Sequence, residues 1–468
     1  MATANGVDAK HPTYDDHADD WALMADAMAG EGAIKRAGVK YLPKPQGFSA
    51  LPDRADQEAA YAAYMNRASF PEFVAPTVSA LHGMAKQKGI TVELPKALEF
   101  MRENATGGRP PVTIDALFGR ILHHLLTAGR VGALADVDTA GAPKIALYTG
   151  TAVTNWDTDF FVLDESGDVR TRFSWERRRQ YRVLELDEGG LYVQTVHTGD
   201  TLAAANTYEP KALGGKRLNF VPFYVANSRE VSPKIVPPPL IGVARAAKNV
   251  YQLSADKRFQ LFFSGQETLF IYNASDAPEY TGAMAIVTLN GAPGQTPKAE
   301  YVGPDCKTIN EHDKAIRDER EAAVMAGARM LEQSEGVTES GNARELRFAS
   351  ETSNVFTIIT TAAELLELAL RGCAAFAGAD PNEVNVSPPE DLLSGALTPA
   401  EAEALARLWI DRVISYETLH QNLQRGKIIP KSRDAEAEQA LIDGEDFGAT
   451  NPTTPAAMPQ TDGDLSDA

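Results

Sequence analysis

Pro237-Pro238-Pro239-Leu240-Ile241-Gly242-Val243-Ala244-Arg245 opens the stretch, running to Phe376, whose reading decides the fold. A proline triplet cannot continue a strand, but it can fill the first turn of a helix. Leu240, Val243, Ala244, Ala247, Val250, Tyr251, Ala255, Phe259 and Phe262 then share one face at helical spacing, and Gly265 stops the run. The opposite face carries Arg245, Lys248, Lys257 and Arg258.

Working outward from that helix, the period changes between Gln266 and Lys307. Leu269-Phe270-Ile271-Tyr272 and Ala285-Ile286-Val287-Thr288-Leu289 are short β runs, and Asn290-Gly291 marks a turn. Helix resumes from Ile309 to Glu335 with a thin apolar stripe, Ile316, Val324, Gly327 and Met330 or Leu331. So narrow a stripe predicts neighbours outside its own domain, and copies of itself are one source. After the polar break Val337-Thr338-Glu339-Ser340-Gly341-Asn342, Val355, Ile359, Ala362, Leu366, Ala369, Cys373 and Phe376 recur at spacings of four and three. This pattern fits a helix buried along one seam.

Upstream, residues 1 to about 20 read as polar, acidic and mobile. Helical patterns follow at Gln57 to Asn66, Glu72 to Lys88 and Lys96 to Glu103. A clearer one is capped by Thr113, striped by Ile114, Leu117, Phe118, Ile121, Leu122, Leu125 and Leu126, and closed by Gly129. From Val131 to Val225 the period is two, with strands expected at 132–137, 144–148, 160–163, 169–173, 181–186, 191–196 and 220–225. Turns at Glu165 to Asp168 and Asp187 to Gly190 predict antiparallel hairpins, so this half is α+β. Downstream, Thr398-Pro399-Ala400-Glu401 opens a helix as a capping box, Ser415 caps another, and 431–468 reads as an acidic, disordered tail.

With 468 residues the chain is long enough for two or more domains. Its formal charge of -19 argues against a surface that grips nucleic acid. Two cysteines, Cys306 and Cys373, far apart in sequence, fit a reducing compartment without a disulfide framework. The N-terminus lacks a basic region followed by an apolar core, and Glu364 and Glu367 interrupt the longest apolar run. The expectation is therefore a soluble, intracellular chain.

Chemistry-bearing motifs are missing. Gly214-Gly215-Lys216 lacks the upstream glycine of a phosphate loop and reads as a turn. His123 and His124 are adjacent on a helix and point about 100° apart, a poor arrangement for one metal. Asp157-Thr158-Asp159 reads as a turn rather than a cation site. Arg177-Arg178-Arg179 reads as a solvated loop or an intersubunit ion pair, and aromatics interleaved with basic residues are not evident. No catalytic, cofactor-binding or metal-binding residue is assigned, and the chain is not expected to be an enzyme.

Several segments carry a resemblance: Tyr41-Leu42-Pro43, Asn66 to Phe70, Thr77 to Gly83, Ala128 to Asp136, Asn155-Trp156, Tyr181 to Leu184, Pro237 to Leu240 and Asn249 to Asp256. In order and spacing, over about residues 20 to 430, the chain resembles the portal proteins of tailed bacteriophages, and more closely an uncharacterised phage portal-like family. The resemblance implies a ring-forming α+β portal-like fold. It would comprise an N-terminal arm (1–40), wing (41–236), stem helix (237–265), small β-containing clip (266–307) and second stem helix (308–335). A tunnel loop (336–348), long wing helix and return (349–389), small α-helical crown (390–430) and acidic tail (431–468) would follow.

The function so implied is that of a head-tail connector: a homo-oligomeric ring, usually dodecameric, at the capsid vertex, through which double-stranded DNA is packaged and ejected. Its partners would be terminase, a head-tail adaptor and the major capsid or scaffold protein. It would reside in the virion, and in the host cytoplasm during assembly. Thr338, Glu339, Ser340, Gly341, Asn342 and Arg344 would lie nearest the DNA, and Arg245, Lys248, Lys257, Arg317, Glu319 and Glu321 would belong to the channel or stem. The competing readings are another virion structural protein, a minor capsid or adaptor subunit, and a soluble enzyme with an unrecognised site.

Overall fold

A computed structural model describes residues 6–265, 268–274, 291, 294–302, 308–328, 341–388, 399–410, 413, 415–425, 428–430 and 433–444. Two compact units divide the chain, 1–390 and 391–468. The architecture is α+β, as the change of period predicts.

The first unit begins with α1 (Ala18–Ala29), α2 (Glu31–Ala37), α3 (Gln46–Ser49), α4 (Arg54–Arg67) and α5 (Val74–Lys88), then β1 (Thr91–Glu93) and α6 (Ile114–Ala128). The start of α6 follows its sequence. The Thr113 hydroxyl accepts from the Ala116 amide at 3.2 Å, and Gly129 ends the helix with φ 68°, a left-handed conformation that a glycine adopts without strain. All seven residues of its apolar stripe are buried.

The chain then weaves β2 (Arg130–Val137), β3 (Pro143–Thr149), β4 (Val153–Asp157), β5 (Phe160–Asp164), β6 (Gly167–Arg170), β7 (Trp175–Arg178), β8 (Gln180–Leu186), β9 (Tyr192–Thr198), β10 (Ala203–Tyr208) and β11 (Phe223–Asn227). These strands form a three-stranded sheet in the order β11-β2-β3, a five-stranded sheet in the order β10-β9-β8-β5-β4, and a separate two-stranded ribbon, β6-β7. Every pairing is antiparallel.

One turn differs from the sequence expectation. The residues after Glu165 do not fold the next strand back on β5. They lead into the β6–β7 hairpin as an insertion, and β5 pairs with β8 instead, Val162 opposite Val183. The reason is burial. The central residues of β5 and β8 are apolar and buried, whereas all of β7 and most of β6 lie in solvent. The hairpin also corrects the reading of basic and aromatic residues, because Arg170, Arg172, Phe173, Trp175, Arg177 and Arg178 are interleaved on it.

His11 and Tyr14, within the segment expected to be mobile, are likewise packed onto the strands. The backbone amide of His11 donates to Thr154 O at 2.9 Å, its ring stacks on Trp156 at 4.0 Å, and the Tyr14 hydroxyl donates to Thr151 O at 2.6 Å. Buried apolar contact outweighs the polar composition of the segment.

The organising stretch supplies α7 (Ile241–Ser264), the two-stranded sheet of β12 (Thr268–Tyr272) and β13 (Lys298–Val302), α8 (Ile309–Ala323) and α9 (Gly341–Ala377). Of the β runs expected in this segment, the first pairs with 298–302, and 285–289 lies outside the described residues. A π turn, Val324–Ala328, follows α8, with Gly327 at φ 116°. The long helix starts at Gly341 rather than at 349, because Ala343, Arg344, Glu345, Leu346 and Arg347 are good helix formers. Its C-terminal half lies over β2, β3 and β11 and beside α6, burying Leu365, Leu366, Ala369, Leu370, Cys373 and Phe376. After it, β14 (Asn385–Ser387) pairs with β1.

The second unit contains α10 (Pro399–Ile410), α11 (Tyr416–Arg425) and α12 (Ala435–Gly444). The Ser415 hydroxyl accepts from the Thr418 amide at 3.1 Å, as its position before the helix predicts. Helix α12 places order inside the segment read as a disordered tail. Asp434 caps it by accepting from the Ala437 amide at 2.7 Å, and Arg433 pairs with Glu438 at 2.8 Å. Residues 445–468 lie outside the described residues.

Candidate functional site

The α7–α8 pair holds all six residues that the sequence assigns to a channel or stem. The two helices run antiparallel, and polar bonds mark their register. The side chain of Asn249 donates to Glu319 Oε1 at 3.2 Å, Lys257 pairs with Asp313, Gln260 faces His312, and Thr308 donates to Gln260 Oε1 at 3.0 Å. Small residues close the far end, where a Cβ added to Gly242 would lie 3.0 Å from the Ala326 Cβ.

The two helices differ in what they bury. Val243, Ala244, Ala246, Ala247, Val250, Tyr251 and Ala255 put one side of α7 in the core, and its partly buried Phe259 ring meets Tyr64 and Phe48 edge to face at 5.5 and 5.4 Å. In α8 the single buried residue is Ala323. A fifteen-residue helix with one buried position draws little hydrophobic stabilisation from its own chain. Among the described residues the adjoining β12–β13 pair has no third strand, and its Phe270 and Tyr272 stack at 6.3 Å while both stay exposed.

Beside the helix pair, an open groove of about 690 Å³ separates Ser69 and Pro71 from α7 and α8. Lys257, Arg258, Arg317 and Arg320 line it against Asp313 alone among acidic residues. This concentrates positive charge on an acidic chain, and the guanidinium and ammonium donors suit carboxylate or phosphate oxygens. Two hydrogen bonds tie the groove wall to the core: Tyr64 donates to Asp256 at 2.5 Å, and Ser254 donates to Ser69 O at 2.9 Å.

Besides Glu319, three of the assigned residues on these helices lie outside the groove. Arg245 pairs with Asp20 of α1 at 2.7 Å, Lys248 is half-buried, and Glu321 is exposed. Thr338, Glu339 and Ser340 lie outside the described residues. Gly341, Asn342 and Arg344 fall in the first turn of α9, and their side chains are likewise outside the described residues.

Two polar clusters, one part-buried and one around a fully buried arginine, escape sequence reading. Arg182 of β8 bonds Glu165 at 2.7 Å and Gln194 of β9 at 2.6 Å, and Tyr148 of β3 donates to Glu165 at 2.7 Å. Burial pushes the Glu165 carboxyl up. The hydrogen bonds and charge of Arg182, with Tyr148 and Gln180, outweigh it and hold the group below its ordinary value. At the start of the central strand β2, Arg130 is fully buried, lies 4.1 Å over the Trp156 ring and donates to Val153 O at 3.1 Å. Burial lowers its pKa to about 10. Both clusters join residues from different strands, and an isolated arginine in a sequence carries no sign of burial.

Burial lowers the pKa values of His123 and His124, whose rings meet edge to face at 5.8 Å. Gly214 and Gly215 form a positive-φ turn closed by Ala212 N to Lys216 O at 2.7 Å. Asp157 accepts from the Thr158 amide in the turn between β4 and β5. Among the described residues, no group of three or more His, Cys, Asp or Glu side chains could hold a metal ion. No described helix is long and apolar enough to cross a membrane.

The chain is thus an α+β protein whose distinctive site is a polar helix pair with a β insertion between its members. A family model described as a domain of unknown function, DUF4055, matches residues 239–377, the part containing α7, α8 and α9. No curated protein matches the chain.

Proposed function

We propose that this chain is the subunit of a phage portal ring, a head-tail connector through which double-stranded DNA passes. The observation that carries the reading is the near absence of buried residues on α8, joined to a β insertion that shows only two paired strands among the described residues. A two-stranded sheet is marginal in water, and a helix of this composition needs flanking neighbours. Identical copies around a closed axis supply both at once, with α7 and α8 as stem, 266–307 as clip, 41–236 as wing and 390–430 as crown.

The overall charge of -19 suits a conduit in which a duplex must slide. Cationic walls bind phosphates through counterion release, whereas acidic ones keep DNA mobile. Terminase, a head-tail adaptor and the capsid or scaffold protein are the partners this role requires. It calls for no cofactor or catalysis, and places the protein at a capsid vertex.

Negative-stain imaging and native mass spectrometry of the purified full chain test the reading. Annular particles of a single closed stoichiometry, near twelve copies, are expected. A protein that stays a folded monomer at high concentration overturns it.

A further inference from the structure

Among the described residues of the first unit, the β6–β7 hairpin carries the most exposed large apolar side chain. Its tip residue Phe173 is 88% exposed, Trp175 68% and Val169 44%. The ladder pairs Arg170 with Trp175 and Asp168 with Arg177, so alternation places Trp175 on one face between two arginines. Neither outer edge of the ribbon pairs with another strand among the described residues. Its base, by contrast, is fixed: the Glu165 amide donates to Gln180 O at 2.8 Å, the Gln180 amide donates to Ser166 Oγ at 3.1 Å, and Arg182 holds Glu165. The tip is closed by Thr171 N to Ser174 O at 2.9 Å. A rigid arm ending in exposed Phe, Trp and Arg has the composition of an interface anchor, ordered before it meets its partner.

We infer that this arm docks on a second copy of the same chain. Charge selects that occupant. The arm, 167–178, holds four arginines against two carboxylates, whereas the whole chain holds 45 basic residues against 64 acidic ones. A basic arm is therefore attracted to the acidic body of a copy and repelled by another arm. Arm-to-body contact joins two different surfaces, which makes the association head-to-tail, the kind that closes into rings. Nucleic acid fits less well. The Arg172 guanidinium lies 4.8 Å over the Phe173 ring and covers a face a base would need, and Arg177 faces Asp168 at 3.7 Å. The inference rests on the ring reading and adds the contact that sets its direction.

The test compares the full-length chain with its Phe173→Ser/Trp175→Ser variant by native mass spectrometry across protein concentration, with hydroxyl-radical footprinting of residues 167–178. In the wild type, the arm is expected to become protected as oligomers form. In the variant, assembly weakens by at least about tenfold while the melting temperature of the monomer is unchanged. An Arg170→Glu variant provides a second measure and is expected to weaken assembly most at low salt. If the wild type closes into rings and both variants do so equally, with the arm still reactive, the arm proposal is overturned and the ring reading stands. A wild type that never assembles overturns both. Variants that assemble normally but lose retention of a DNA duplex would assign the arm to nucleic acid and overturn the proposal.

Discussion

Gly372 of α9 faces Ala135 of β2 so closely that a Cβ on the glycine would lie 2.7 Å from the Ala135 Cβ. The contact sets how near the long helix comes to the three-stranded sheet, and hence how tightly the core beneath it closes. Tyr224 and Pro222 crowd the same spot at 3.6 and 3.7 Å, so the helix has little room to shift sideways.

A Gly372→Ala change should therefore reverse the usual sign. In a free helix interior, alanine is better than glycine by about 1 kcal/mol. Here overpacking should cost a net of roughly 1–3 kcal/mol. Urea denaturation checks this, and adding Ala135→Gly should recover part of the loss by restoring the gap.

The Glu165–Arg182 pair should make stability depend on acid. Because the Glu165 pKa is depressed in the folded state, its contribution is complete above the ordinary glutamate value of about 4.3 and is lost as pH falls through the lower folded value. Glu165→Gln leaves Arg182 without a counter-charge and should cost roughly 1–3 kcal/mol at neutral pH. Denaturation midpoints measured down the pH scale should show the gap between wild type and variant closing below pH 4.3.

Cys373 should be chemically silent. It is fully buried on the sheet-facing side of α9, and burial drives its thiol far above the ordinary range, so no thiolate forms near neutrality. In a Cys306→Ser background, a thiol reagent should label the chain only at its unfolding rate. Rapid labelling of the native protein would contradict the packing of the helix.

Charge reversal on α8 separates structure from the proposed conduit. Glu319 accepts a hydrogen bond from Asn249, so Glu319→Lys should loosen the α7–α8 pair by about 1 kcal/mol. Glu321 is exposed, so Glu321→Lys should leave monomer stability unchanged. If α8 contributes to an acidic lining, Glu321→Lys should still lower DNA packaging yield in an assembly assay. Unchanged yield would count against the charge argument.

Local signals made much of this fold legible. The Thr113 cap, the apolar stripe to Leu126 and the Gly129 stop place α6 from sequence alone, and the proline triplet before Leu240 announces α7. The same signals bring Lys257 and the acidic and basic residues of α8 onto two helices. Each such feature is decided within one or two turns of backbone, where propensity, capping and periodicity act.

Tertiary structure alone decided the rest. Only folding shows that β5 skips the hairpin to pair with β8, that 298–302 closes on 268–272, that the polar N-terminus is held by Tyr14 and His11, and that Arg130 is buried on Trp156. The basic groove is likewise built from Arg258 and Arg317, far apart along the chain. The physical reason is shared: these contacts draw their free energy from burial between distant segments. Burial is a property of the assembled core and not of any residue's neighbours in sequence.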